Sequence, residues 1–149
     1  MNTTAQLERK TAVHGVPWED AYAYYQAVQV KDVIYVSGQL SHDKEGNFVA
    51  PATLDTQGKP ADFSAMEAQM RQTYKNAISM LAEFGATLDD VVEETLFVLD
   101  VDAAFAVASK VRSDMYGRAR PLCASNLIGV SRLALPVQLI EISFRAVLK

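Results

Sequence analysis

The sequence lacks several features that would restrict it to particular classes of protein. It holds one cysteine, Cys123, so no disulfide can form within the chain, and we expect a reducing compartment. No apolar run approaches the ~20 residues that cross a bilayer. The first residues also lack the apolar segment of a signal peptide. These absences predict a cytoplasmic protein that does not contact membranes.

An excess of basic residues is also absent. The 14 Lys and Arg residues are outnumbered by 18 Asp and Glu residues, which gives a net charge of −4. Proteins that bind nucleic acids usually carry a basic face. Four arginines are loosely grouped, but we interpret them as scattered surface charges: Arg112, Arg118, Arg120 and Arg132. We therefore do not expect a nucleic-acid partner.

Motifs for cofactors are missing as well. The two histidines, His14 and His42, have no partners at metal-ligand spacing, and neither a P-loop nor a dinucleotide-binding motif occurs. We expect no metal and no organic cofactor. Neither histidine has a clear reason to activate Cys123, which is typical of a small buried apolar residue rather than a nucleophile.

The remaining pattern predicts one domain of 149 residues, with residues 1–20 as a loosely ordered arm. Two β-branched runs at 26–30 and 32–37 predict a hairpin that turns near Lys31. Residues 41–61 are rich in Gly and Pro and predict a loop, with a short strand around Phe48.

Two helices are predicted. Ser64 and Glu67 have capping-box spacing, with Asp62 as the alternative cap, and Gly85 ends the first helix. Its apolar residues recur every three or four positions: Phe63, Met66, Met70, Tyr74, Ala77, Leu81 and Phe84. In the second helix Asp102 is the predicted cap and Gly117 the end. Its predicted core residues are Ala104, Ala108, Val111 and Met115.

Strands predicted at 95–99, 124–130 and 137–147 complete an α+β fold. We expect a mixed sheet of about six strands with both helices on one face. In the last strand Ile140, Ile142, Phe144, Ala146 and Leu148 point toward the helices. The opposite face carries Val137, Leu139, Glu141, Ser143 and Arg145. Self-association would cover this second face and place Glu141 partly buried between subunits.

Several short strings, in order and spacing, carry a family resemblance. They are Pro-Trp-Glu at 17–19, Tyr-Tyr-Gln-Ala-Val at 24–28, Val-Ile-Tyr-Val-Ser-Gly-Gln at 33–39, Leu-Asp-Asp-Val-Val at 88–92 and the run at 127–142. Together they resemble the Rid family, also called the YjgF or endoribonuclease L-PSP family. The resemblance implies a chorismate-mutase-like subunit, a homotrimer and ligand clefts between subunits.

The resemblance also implies chemistry. The best-known members hydrolyse enamines and imines such as 2-aminoacrylate to 2-keto acids and ammonia, without a cofactor. Carried over residue by residue, it implies catalytic roles for Glu141 and Tyr24. It implies a substrate-binding surface formed by Ser37, Gly38, Cys123 and Ser125. Ser125 stands where the family has an arginine that clamps the substrate carboxylate, and a serine cannot form that charged bidentate contact.

Three functions therefore stay open. The first is a cofactor-free deaminase for a small imine, enamine or keto-type metabolite. The second is a non-catalytic, metabolite-binding or regulatory protein of the same fold. The third is an endoribonuclease or translation inhibitor, which the acidic composition disfavours. Glu141 could instead be an inter-subunit ion-pair partner and Tyr24 a packed aromatic. Replacement of the missing arginine by Arg120 or Arg132 also stays open.

Overall fold

The computed structural model describes residues 5–149 and contains one six-stranded sheet. The strands are β1 Lys10–Ala12, β2 Ala27–Val30, β3 Val33–Gln39, β4 Val91–Val98, β5 Ala124–Gly129 and β6 Ile140–Val147. The helices are α1 Pro17–Tyr22, α2 Met66–Ala82 and α3 Val101–Tyr116. The strand order is β1-β2-β3-β6-β4-β5, in which β4 and β5 are parallel and the other neighbours antiparallel. The predicted α+β fold with a mixed sheet is confirmed. Within the described residues, no helix is both long and apolar enough to span a membrane.

The N-terminal segment differs from the expected loose arm. Residues 1–4 lie outside the described part, but β1 pairs with β2, and α1 follows. Val16 and Glu19 are buried. The Glu19 carboxylate accepts hydrogen bonds from the backbone N–H groups of His14, Gly15 and Val16 at 2.7, 2.9 and 3.0 Å. These contacts order the segment. The sequence did not predict this order, because elements as short as β1 and α1 show no recognisable periodicity.

The hairpin and the long loop follow the prediction closely. Val30 pairs with Val33 across a turn in which Lys31 has a left-handed φ of 54°. The expected short strand around Phe48 is reduced to an isolated bridge between His42 and Phe48.

The predicted N-cap of α2, Ser64, is one residue from the observed one. The observed N-cap is Ala65, which makes no side-chain cap, so neither the Ser64–Glu67 capping box nor an Asp62 cap forms. Asp62 instead accepts hydrogen bonds from the backbone and hydroxyl of Ser64. The short polar side chain therefore stabilises the preceding turn.

The predicted cap of α3 is also displaced. Asp100, not Asp102, caps this helix, because its carboxylate accepts the Ala103 N–H at 2.8 Å. The predicted C-terminal ends of the two helices agree with the structure. Gly117 ends α3 with a left-handed φ of 71°, and Gly85 follows α2 with a φ of 72°.

The sheet has one face covered by helices and one left open. Met70, Tyr74, Ala77 and Leu81 of α2 are fully buried on the helix face, as predicted. Ile140, Ile142 and Ala146 of β6 are fully buried there too. The open face carries the alternate residues of β3, β4 and β6, which include Tyr35, Glu93, Thr95, Phe97, Glu141, Ser143 and Arg145.

Leu139 was expected on the open face but is fully buried. It precedes β6, and its N–H donates to the side-chain oxygen of buried Gln69 at 2.8 Å. This bond draws the chain toward α2 before the strand begins.

Candidate functional site

Glu141 and Gly38 lie against each other at the edge of the open face. Gly38 is in β3, where the pairing with β6 shifts register between Val36 and Gln39. A Cβ atom built on Gly38 would lie 2.5 Å from Cδ and 2.7 Å from Cγ of Glu141. Such distances are too short for non-bonded carbon atoms. Glycine is therefore required here so that the glutamate side chain can cross the neighbouring backbone.

The Glu141 carboxyl group is half-buried, and no hydrogen-bond donor reaches it among residues 5–149. Burial raises its pKa above the ordinary value. A carboxyl group with free lone pairs and a raised pKa can orient a water molecule and exchange a proton with it.

Tyr24 lies in the short segment between α1 and β2. It follows α1 after Ala23, which ends the helix with a left-handed φ of 62°. Its hydroxyl oxygen accepts a hydrogen bond from Gln26 Nε2 at 3.0 Å. Burial raises the pKa of Tyr24, and the negative charges of Glu19 and Glu141 add to the rise. Tyr24 is thus near enough to Glu141 to respond to its charge.

The surface next to Tyr24 is concave. A cavity of about 640 Å³ is lined by Glu19, Tyr24 and Tyr25, together with other residues around α1. A smaller cavity of about 260 Å³ on the open face includes Ser37 and Arg145. The Ser37 hydroxyl donates to the backbone oxygen of Tyr25 at 2.9 Å, which joins β3 to the segment that carries Tyr24.

The structure does not bring Ser125 or Cys123 to this group within one subunit. Ser125 is the β5 partner of Glu94 in β4, and its hydroxyl donates to Glu94 Oε1 at 2.9 Å. Glu94 is fully buried on the helix face. Ser125 and Glu141 therefore point to opposite faces of the sheet.

Ser125 belongs instead to a set of side chains that we call the Glu94 cluster: Glu94, Tyr74, Arg112, Tyr116, Ser125 and Cys123. The hydroxyls of Tyr74 and Tyr116 donate to Glu94 Oε2 at 2.8 and 2.7 Å, and Arg112 Nε donates to Oε1. Cys123 Sγ lies 3.7 Å from the Tyr116 hydroxyl and 3.6 Å from Arg112 Nη2.

The charges of the Glu94 cluster are mutually stabilised. Burial disfavours the charge of Arg112, but Glu94 overcomes that effect and raises the pKa of the guanidinium. Burial, followed by the charge of Glu94, raises the pKa of both Tyr74 and Tyr116. These tyrosines remain protonated donors, which is the arrangement that a buried carboxylate needs.

Sequence reasoning missed this cluster. One signal was present: Glu94 occupies an inward position of an apolar strand, and a carboxylate there must find donors. The donors were not identifiable, because Tyr74 and Ser125 come from opposite sides of Glu94 in the chain.

Neither Arg120 nor Arg132 contacts the Gly38–Glu141 pair. Arg120 is exposed in the segment after α3. Arg132 lines a separate cavity with Lys59 and Pro60. The part of the chain that the structure describes also holds no group of three or more side chains that could ligate a metal ion.

Comparison with known proteins gives consistent matches. The family model described as Endoribonuclease L-PSP matches residues 18–148. A RutC family protein of Pyrococcus abyssi is 32% identical over 110 residues, which cover 74% of this chain and 75% of the relative. The mitochondrial protein MMF1 of Saccharomyces cerevisiae is 31% identical over 119 residues, covering 80% and 71%.

Solved structures agree. A member of the YjgF/YER057c/UK114 family from Mycobacterium tuberculosis superposes with a TM-score of 0.72 at 25% identity, covering 95% of this chain and 100% of the other. The Rid family protein YyfA from Yersinia pestis gives 0.66 at 28% identity, covering 84% and 87%.

Proposed function

The chain belongs to the endoribonuclease L-PSP family, also called the Rid or YjgF family, and from that premise we propose that it hydrolyses a small imine or enamine at Glu141. One observation carries the proposal. The Glu141 carboxyl group lies against a glycine, without a hydrogen-bond donor among the described residues, and burial raises its pKa. It is equipped to handle water rather than to hold the fold together.

In the proposed reaction Glu141 accepts a proton from water as the oxygen attacks the imine carbon. Glu141 passes that proton to the nitrogen, which gives the neutral carbinolamine. A second proton then moves from the new hydroxyl group through Glu141 to the nitrogen, so the C–O double bond forms as the C–N bond breaks, and ammonia and a keto product are released. An enamine substrate first tautomerises to the imine. Gly38 and Ser37 offer backbone groups along one side of the ligand, and Tyr24 contacts the other.

We propose that the chain forms a homotrimer, in which a neighbouring copy completes the cleft. The open face is half polar and uncovered in the single subunit, with Tyr35 47% exposed. Covering this face would remove more water from around Glu141 and raise the pKa of its carboxyl group further. Light scattering at micromolar concentration should give three chains per particle, and a monomer would remove the basis for an inter-subunit cleft.

A second candidate is a non-catalytic protein that binds a small metabolite. The position of Ser125 favours it, because Ser125 faces the helices and leaves the open face without the carboxylate clamp of the family. RNA cleavage is less well supported, since the net charge of −4 offers little attraction for phosphates. Cytoplasmic location remains a prediction; the name of the yeast relative places that protein in mitochondria.

The test is ammonia release from enzymatically generated 2-aminoacrylate. The wild type should accelerate release above the protein-free rate, and Glu141→Gln should lower turnover by roughly 100-fold or more. Glu93→Gln is the matched control, because Glu93 lies on the same open face in the neighbouring region of β4. It should retain wild-type turnover.

A wild-type rate equal to the protein-free rate would contradict hydrolysis of this substrate. Calorimetric titration with a stable 2-keto acid would then separate the two candidates. Binding that is weakened by Glu141→Gln would support the non-catalytic candidate. Absence of binding would contradict both candidates.

A further inference from the structure

A buried chain of hydrogen bonds connects His14 to Tyr24. His14 Nε2 lies 2.7 Å from Gln39 Oε1, Gln39 Nε2 lies 2.9 Å from Gln26 Oε1, and Gln26 Nε2 lies 3.0 Å from the Tyr24 hydroxyl. The two glutamines are only 1% and 2% exposed. Buried amides of this kind are expensive unless both ends are satisfied, so their arrangement is well determined.

The direction of the chain is fixed by a backbone carbonyl. The Gln39 side chain also lies 2.9 Å from the Ser37 carbonyl oxygen, which can only accept. The Gln39 group at that position is therefore the NH₂, and its oxygen faces His14. The same NH₂ donates to Gln26, so Gln26 presents its oxygen to Gln39 and its own NH₂ to Tyr24.

The carboxylate of Glu19 supports this orientation of Gln26. Burial acts to raise the pKa of Glu19, but hydrogen bonds from the His14 backbone, the Gln26 side chain and the next two backbone N–H groups lower it overall. A carboxylate accepts hydrogen bonds, so it requires the NH₂ of Gln26 on the side that faces Glu19 and Tyr24.

Both ends of the chain then have defined protons. His14 must carry its proton on Nε2 in order to donate to Gln39 Oε1. The Tyr24 oxygen accepts from Gln26, so its own proton cannot point inward along the chain. That proton is free to be donated away from Gln26, to a ligand in the cavity that Tyr24 lines.

We propose that Gln26, Gln39 and His14 are positioning residues that make Tyr24 a hydrogen-bond donor to the ligand. This inference rests on the proposed function for the identity of the site, and it narrows the ligand class. A ligand that accepts the Tyr24 proton is favoured, such as one with a carbonyl or carboxylate oxygen or an imine nitrogen. A group that can only donate would leave that proton unpaired.

The first test is the tautomer of the two histidines, measured by ¹⁵N NMR on the wild type. We expect His14 as the Nε2–H tautomer when neutral. His42 serves as the internal control, because its Nδ1 lies 2.7 Å from the Asp43 carbonyl oxygen and must be the protonated nitrogen. Observation of His14 mainly as Nδ1–H would overturn the proposal, whether or not the protein turns over any substrate.

The second test reverses the chain with Gln26→Glu. A carboxylate at this position only accepts, so Tyr24 would donate inward to it and be lost as a donor to ligand. We expect kcat/KM to fall about tenfold, to the level of Tyr24→Phe. Gln29→Glu is the matched control three residues further along, in β2, because the Gln29 amide donates to the Lys31 carbonyl at an exposed position. It should behave as the wild type.

These outcomes separate the two proposals. Normal turnover of Gln26→Glu beside impaired Tyr24→Phe would overturn the positioning role and leave the proposed function intact. The expected histidine tautomers without wild-type turnover would support the chain and contradict the function. If Gln26→Glu does not fold, the wild-type NMR measurement still decides the direction of the chain.

Discussion

Two glutamates on neighbouring strands show how different the two faces of this sheet are. Glu94 of β4 points to the helix face, is fully buried and accepts from Tyr74, Arg112, Tyr116 and Ser125. Glu141 of β6 points to the open face and is half-buried, without a donor among residues 5–149.

Burial alone therefore does not identify the reactive carboxylate. Glu94 is the more deeply buried, yet its donors occupy its lone pairs and leave none for a substrate. Glu141 is less buried, and no donor among the described residues occupies its lone pairs. The number of donors separates a structural carboxylate from a functional one, and the predictions below test that separation.

The largest effect is expected from Arg112→Met. It leaves Glu94 buried without its counter-ion, so the free energy of unfolding should fall by about 3–5 kcal/mol. Urea unfolding followed by circular dichroism measures this change. Arg71→Met is the control, since Arg71 pairs with Glu67 and Asp114 at the surface and should cost less than about 1 kcal/mol. Equal losses of unfolding free energy in the two variants would contradict a stabilising role for the Glu94 cluster.

Gly38→Ala should have the next largest effect, on turnover rather than stability. The new Cβ displaces the Glu141 carboxyl group, and a shift of about 1 Å in a reacting group can cost roughly 100-fold in rate. Gly129→Ala is a matched control, because its Cβ would also meet a side chain, Val101, at 3.0 Å. Retained turnover in Gly38→Ala would mean that the position of Glu141 is unimportant.

Ser125→Ala is expected to have a smaller effect. It removes one of the donors to Glu94 at a partly exposed position, so it should cost about 1 kcal/mol of stability. Turnover and KM should stay within twofold of the wild type. A rise in KM without loss of stability would return Ser125 to the substrate site that the family resemblance implies.

The pH dependence of stability should be the smallest effect and has opposite signs for Glu141 and Glu19. Burial raises the pKa of Glu141, so the folded state holds its proton longer than the unfolded chain. The free energy of unfolding then falls as pH rises through the interval between the two pKa values. Glu141→Gln should remove this fall, and unfolding measured from roughly pH 4 to 8 would show it.

Glu19 provides the opposite comparison. Burial acts to raise its pKa, but the backbone N–H groups of its own helix cap lower it overall. Its stabilisation is present above the ordinary pKa of a glutamate and is lost as pH falls through the lowered value. Identical pH profiles for Glu141→Gln and Glu19→Gln would contradict the assigned directions.

The sequence predicted the features that depend on local periodicity. The apolar stripe of α2 and the alternation of β6 identified the helix face and placed Glu141 on the other side. The resemblance supplied Gly38 and Tyr24 as its neighbours. Each of these rests on short strings or regular spacing within one element.

The features that the sequence did not predict depend on contacts between distant segments. The Ser125–Glu94 bond joins residues 31 apart, and the Tyr74–Glu94 bond joins residues 20 apart. The family pattern assigned Ser125 to the arginine position by counting along the chain. It could not show that Glu94 accepts a hydrogen bond from Ser125 and so holds the serine on the opposite face.

The most direct measurement compares Glu141→Gln with Glu94→Gln for both stability and turnover of 2-aminoacrylate. We expect Glu141→Gln to lower turnover by roughly 100-fold or more without loss of stability, and Glu94→Gln to lose stability and keep turnover per folded molecule. The reverse pattern, or loss of turnover in Glu94→Gln without loss of stability, would contradict the division between the two carboxylates.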